Sequence, residues 1–345
     1  MAYTTINKPS DYFNTKLYTG DGTSSNAITG VGFQPDLTWI KPRSDASLHF
    51  IVNSFDETKF LQSQSTSAEL DATTDFVSLD SDGFTVKNTN DWTNKNLSTY
   101  ASWNWLAGGT GVSNTQGSIT STVSANTTAG FSIVSYTGNG SASATIGHGL
   151  GTSNVGMIIT KNKDQPDGWI VYHKSLGANN YLVLQTTDPS SGSANKYLSV
   201  PTPTTYEIGN SGDMNTNNEA YIAYCFAEKK GFSKFGSYVG NGSTDGTFVY
   251  TGFKPAWLMY KRTDDTTGAW EMWDNKRSTF NPENKALFAN SSNAEATASN
   301  LDFTSNGFKI RVSSGGINAS GSTYIYMAFA ENPLVTSTKL PATAR

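Results

Sequence analysis

The chain has 345 residues, of which only 15% are charged and 12% aromatic, with one cysteine and a formal charge of -4. Low charge beside abundant Gly, Ser, Thr and Asn is the composition of turn-rich β structure. The acidic balance removes the basic stripe on which nucleic-acid binding rests, and Cys225 alone excludes an intrachain disulfide framework or paired metal-binding thiols. The opening MAYTTINKPS lacks a basic region followed by an apolar core, and no apolar run approaches a membrane span, so the expectation is a soluble protein folded in a cytoplasm without membrane insertion.

In chain order, residues 1–10 form an N-terminal arm, and 11–107 the first of three similar units. That unit opens on Tyr18, Gly20 and Gly22 as Y-T-G-D-G, places Lys41 at the end of an apolar run, predicts strands over 37–40 and 50–52, and closes on the aromatic stretch 100–106. Residues 108–129 are small and polar and read as a Gly/Ser/Thr-rich linker or an extra strand pair, the latter on the alternation S-I-T-S-T-V. The second unit, 130–229, repeats the order with Tyr136, Gly138 and Gly140, then Lys161, and closes on 221–227; strands are predicted over 155–160, 169–172 and 181–184. The third, 230–333, opens on Tyr238, Gly240 and Gly242, passes Lys261 and closes on 324–330, with strands over 247–250, 257–260 and 308–312. Residues 334–345 are a tail outside the repeat. Self-similarity at a period of about 100 residues is too long for a solenoid and points to tandem units of one fold.

Within each closing strand the period is two: Trp103 and Trp105, Tyr224 and Phe226, and Met327 and Phe329 share one apolar face. Short strands of this pattern separated by polar turns predict an all-β protein of three tandem antiparallel β-sandwich domains, jelly-roll-like, each around its own interior. Positive φ in a turn accounts for the glycines of the Y-x-G-x-G openings. Phe50, Trp169 and Trp270 stand eight or nine residues after the repeated lysine and are assigned to the core, as are Trp105, Phe226 and Phe329.

Comparison among the copies also tests for chemistry, because a catalytic residue should be singular. Cys225 aligns with Asn104 and Ala328 and reads as a small buried residue; His49, His148 and His173 are scattered, with no metal-ligand spacing. Asp80, Asp82, Asp264 and Asp265 read as turn formers and Glu271 as facing solvent, so no catalytic residue, metal ligand or cofactor is assigned and the chain is not expected to be an enzyme. Trp92 and Trp273 stand among polar residues without tryptophan counterparts and are the candidates for glycan or partner contact.

The strings D-Y-F-N-T-K-L-Y-T-G-D-G, G-F-Q-P-D-L-T-W-I-K, W-N-W-L-A-G-G-T-G-V-S-N-T-Q-G, F-S-I-V-S-Y-T-G-N-G, I-G-H-G-L-G and Y-I-Y-M-A-F-A-E-N-P resemble a repeat-domain family of uncharacterised proteins common in tailed bacteriophages of marine bacteria and cyanobacteria. The resemblance implies a virion structural protein encoded among tail and capsid genes, at the virion surface, with other virion proteins as partners and no catalytic residues to carry over. The expectation is a tail-associated fibre or spike component, assembled as a homotrimer and touching host-surface polysaccharide. A capsid decoration protein and a lectin-like glycan-binding module are the alternatives, and a polysaccharide-degrading enzyme is the least favoured.

Overall fold

The computed structural model describes residues 4–333, and the expected tail 334–345 lies outside the described residues. Twenty-seven strands and no helix longer than four residues make up the described part. Repeat 1 holds β1 (Phe13–Thr19), β2 (Asn26–Thr29), β3 (Leu37–Pro42), β4 (Phe50–Asn53), β5 (Lys59–Phe60), β6 (Leu70–Asp71), β7 (Phe76–Asp80), β8 (Gly83–Val86) and β9 (Thr99–Trp105). The segment after it holds β10 (Val112–Asn114) and β11 (Ser121–Asn126). Repeat 2 holds β12 (Phe131–Thr137), β13 (Ala144–Gly147), β14 (Val155–Asn162), β15 (Ile170–His173), β16 (Asn180–Val183), β17 (Ser191–Gly192), β18 (Thr205–Ile208) and β19 (Ala220–Ala227). Repeat 3 holds β20 (Ser233–Val239), β21 (Phe248–Tyr250), β22 (Phe253–Arg262), β23 (Glu271–Asp274), β24 (Glu283–Phe288), β25 (Ala296–Thr304), β26 (Gly307–Ile310) and β27 (Thr323–Pro333).

One antiparallel strand order recurs. The first strand of a repeat pairs with its last, the last with a middle strand, and that with the next, as β1-β9-β3-β4, β12-β19-β14-β15 and β20-β27-β22-β23. A second set, β2-β8-β7, β13-β18 and β21-β26-β25, carries the other apolar surface; in repeat 3 the two sets join into one eight-stranded sheet that nearly closes on itself. The segment 108–129 is not a free linker, because β11 pairs with β12 from Ser121↔Tyr136 to Asn126↔Phe131 and β10 pairs with β11. Single α-helical turns lie at Gly212–Asn215 and Gly315–Asn318.

Ladder register fixes which residues are equivalent. Trp105, Phe226 and Phe329 each face Leu37, Met157 or Trp257 across the central ladder, and those in turn face Asn53, His173 and Asp274. The same registers align Trp169 and Trp270 with His49, so Phe50 is one position out; its counterparts are Ile170 and Glu271.

Each repeat has an apolar cluster of its own, around Phe50 and Phe84, Tyr172 and Tyr206, or Trp273 and Phe308. A fourth cluster, which the sequence reading did not anticipate, draws on all three. It forms because the main sheets bury both faces: the period-two face of Trp103 and Trp105, Tyr224 and Phe226, and Met327 and Phe329 turns inward to a common centre. There Trp105, Phe226 and Phe329 touch one another pairwise, with ring centroids 6.1, 5.9 and 6.1 Å apart and planes inclined at 65°, 69° and 65°. Ile6 of the N-terminal arm is buried in the same cluster.

The junctions around that centre are cyclic. Trp169 Nε1 donates to the Gln62 carbonyl at 2.9 Å and Trp270 Nε1 to that of Val183 at 3.0 Å. His49 takes the third place: its Nδ1 accepts from Trp39 Nε1, so its Nε2 donates to the Phe288 carbonyl at 2.9 Å. Nearer the axis, Asn53 donates to Tyr224 Oη, His173 Nε2 to the Tyr326 carbonyl, and Asp274 accepts from Trp103 Nε1. At the rim Arg43 pairs with Glu295 and Lys163 with Glu69, while Ser190 Oγ donates to the Thr263 carbonyl at the third junction.

The Y-x-G-x-G openings are clasps. In each, the two stacked tyrosines Tyr18 and Tyr100, Tyr136 and Tyr221, or Tyr238 and Tyr324 sit over a fully buried asparagine, Asn94, Asn215 or Asn318. Its Oδ1 accepts the N–H of the residue between the glycines, at 3.1, 2.8 and 3.0 Å. The two glycines serve different ends. Gly20, Gly138 and Gly240 let a backbone carbonyl approach to where a Cβ would stand 2.2, 2.2 and 2.3 Å from it, whereas Gly22, Gly140 and Gly242 have φ of 71°, 69° and 67°.

Because the three central rings share one contact, truncating any of them opens a cavity that the other two cannot fill. Trp105→Ala, Phe226→Ala and Phe329→Ala are each expected to cost about 3–5 kcal/mol in denaturant titrations; a loss below about 1 kcal/mol at any of the three would contradict the shared contact.

Candidate functional site

The residue types that carry chemistry are consumed by the architecture. Cys225 is buried, and burial pushes its thiol well above the usual range, away from reactive thiolate. His49 and His173 sit at the junctions described above, driven down to about 3 and about 4 by burial, and His148 is held by the Thr202 carbonyl and the Leu150 N–H. Lys41, Lys161 and Lys261 are fully buried at equivalent positions. Each ammonium donates to the carbonyl of the next residue, Pro42, Asn162 or Arg262, and to a second carbonyl, of Ser292, Gln165 or Thr187. Burial lowers all three to about 8.

Glu271 does not face solvent. It is 9% exposed, accepts from Tyr260 Oη at 2.5 Å, and is raised to about 7 chiefly by burial. Asp82 and Asp80 close the β7–β8 turn region, accepting from the Gly30 and Gly32 N–H groups and from Ser78 and Thr85. Asp264 and Asp265 pair with Arg262. Among the described residues no group of three or more His, Cys, Asp or Glu is placed to hold a metal ion, and no helix is long and apolar enough to cross a membrane.

Trp273 is fully buried in the private cluster of repeat 3, so it offers no face to a ligand. Of its polar neighbours, Asp274 points to the other side of the strand, where it accepts from Trp103, while Glu271 shares the face of Trp273 and is buried with it. Trp92 is half-buried and packs on Phe60 at 5.5 Å between centroids. The two are not brought together.

An open groove of about 880 Å³, large enough for a ligand, lies where repeat 1 meets the segment 108–129 and repeat 2. Asp36, Phe55, Asp56 and Glu57 line one side, and Thr122 and Lys163 the other. Asp36 shapes it by accepting the Ala107 and Gly109 N–H groups at 2.7 and 3.3 Å, which sets the course of the glycine strip 108–111. The Phe55 ring lies so close to Gly111 that a Cβ there would stand 2.7 Å from it. Asp56 caps its own turn through Thr58, Glu57 accepts the Leu79 N–H, and Lys163 pairs with Glu69. One aromatic face among acceptor oxygens can bind a hydroxyl-rich ligand. No repeated motif marks this groove, since the segment that completes it occurs once in the chain. The clasp asparagines do leave a signal, recurring six residues before each closing tyrosine.

Residues 8–333 match a domain of unknown function, DUF7483, and the chain belongs to that family. No curated protein matches the chain.

The position of Glu271 gives a pH test. With the native carboxyl raised to about 7 from an ordinary 4.5, its favourable protonated state is complete below the ordinary value and is lost as pH rises through 7. Glu271→Gln removes that loss, so relative to the parent the variant should gain roughly 3 kcal/mol between pH 4.5 and 8 in urea titrations; a pH-independent difference would contradict the buried placement.

Proposed function

We propose that the chain is a non-enzymatic structural protein of a bacteriophage particle. On this reading residues 11–107, 130–229 and 230–333 are three β-sandwich, jelly-roll-like modules fused into one body, carried at the virion surface as part of a tail fibre or spike that meets the host. The observation that supports it most is the cyclic junction: equivalent residues of the three repeats hold one another through His49, Trp169 and Trp270 around one aromatic centre. An enzyme needs a singular convergent set of groups, whereas here the singular residues serve as fasteners. The phage-like strings of the sequence point to the particle. A single chain already sets three similarly ordered sheets around one centre, so one copy suits a threefold position beside other virion proteins, where a homotrimer would otherwise be needed. A cryo-electron map of the particle should place the chain on the tail; density confined to the capsid shell would overturn the tail assignment.

The same threefold character also favours a second reading, a decoration protein seated on local threefold positions of the capsid. Saturable binding of the purified chain to expanded heads without fibres would select it. Glycan contact, if part of the function, belongs to the groove at Phe55 and not to Trp273. Phe55→Ala should then lower retention on host polysaccharide about tenfold, in line with one lost aromatic stacking contact, and an unchanged retention would remove the groove from the account.

A further inference from the structure

Repeat 2 displays how an extended segment covers the outer edge of a first strand. β11 lies antiparallel on β12, and the residues before it reach the neighbouring sheet, where Ile119 N–H donates to the Thr145 carbonyl at 3.0 Å. β1 holds the equivalent position in repeat 1, yet it ends its sheet, β1-β9-β3-β4. The Tyr12 carbonyl accepts from Leu106 N–H and the Gly20 N–H donates to the Ser98 carbonyl. The alternation of an antiparallel ladder therefore commits Asn14, Lys16 and Tyr18 to β9 and points the backbone groups of Thr15 and Leu17 outward.

That edge borders a groove. A channel of about 320 Å³ runs past Asn14, Thr15, Lys16, Leu17, Gly30 and Lys276, and a smaller one of about 50 Å³ reaches Thr15 and Asn275 between repeats 1 and 3. Thr15 is 6% exposed, and neither its Oγ1 nor Asn275 Oδ1 has a hydrogen-bond partner. The other first strands differ at this position. Ile133 of β12 is apolar and paired with Ser124, while Phe235 of β20 fills the corresponding space so closely that a Cβ on Gly156 would stand 2.3 Å from its ring. The charged residues along the larger channel are both lysines, Lys16 and Lys276.

We propose that the outer edge of β1 accepts an extended strand from a partner polypeptide, added antiparallel as β11 is added to β12, with a polar side chain opposite Thr15 and a carboxylate opposite Lys16. This does not depend on the virion reading. By the register of β11 on β12, Ser124 would stand opposite Thr15 and Val123 opposite Lys16.

The test uses two synthetic peptides, one copying residues 120–128 of this chain and one carrying Val123→Asp in that sequence, titrated into the isotope-labelled full chain. The expected result is saturable binding, slowed hydrogen exchange at the Thr15 and Leu17 amides, and about fivefold tighter binding of the acidic peptide, the upper range for one exposed ion pair. Leu17→Pro removes an outward N–H without touching the β9 ladder and should abolish binding. Lys16→Glu, a surface change that leaves the backbone intact, should reverse the preference between the peptides. Absence of saturable binding, protection at β20 instead of β1, or an unchanged preference in Lys16→Glu would overturn the proposal.

Discussion

Everything in this molecule turns on the mutual contact of Trp105, Phe226 and Phe329. Each ring comes from the last strand of a different repeat, and each is almost fully buried. A buried aromatic side chain removes about 150–250 Å² from water, roughly 4–6 kcal/mol at 25 cal/mol per Å². That gain is available only if all three sheets present the same face to the same point. The centre also carries a cost, since Trp105 Nε1 and Trp257 Nε1 lack partners, at about 1–3 kcal/mol each. Aromatic burial outweighs it, and an adjoining wholly apolar void of about 20 Å³ offers no polar group to hold a water.

Given that centre, the polar residues of the junctions have little freedom. A sheet buried on both faces has to pair the polar side chains of its junctions within the protein. The chain does so three times with different chemistry at the same place, as where His49 stands for Trp169 and Trp270, or where an Arg43–Glu295 pair, a Lys163–Glu69 pair and a hydroxyl–carbonyl bond share one role. The buried lysines follow the same logic, each donating to two backbone carbonyls.

Much of this was legible. The three openings, the repeated lysine and the period-two closing strands locate the repeats and their strands, and the face that carries Trp105, Phe226 and Phe329 is apolar in every copy. What the sequence reading missed is that the opposite face of the same strands is also free of charge there, as at Ala223 and Cys225 and at Tyr326 and Ala328, which is the pattern of a sheet covered on both sides. Glu271 and Trp273 were misjudged for a related reason: alternation alone does not say which side of a strand is wetter when neither is. The one-position slip at Phe50 arose because the loop after Lys261 is a residue longer than those after Lys41 and Lys161, and only ladder register exposes it. The groove beside Phe55 and the open edge of β1 depend on a segment present once, so repetition could not reveal them.

A common interior ties the three repeats into one cooperative unit, and scanning calorimetry of the intact chain tests that most directly. The account predicts a single transition with a calorimetric-to-van't Hoff enthalpy ratio of about one. Three resolved transitions, or a ratio near about three, would mean that the repeats melt independently and that their central contact is incidental.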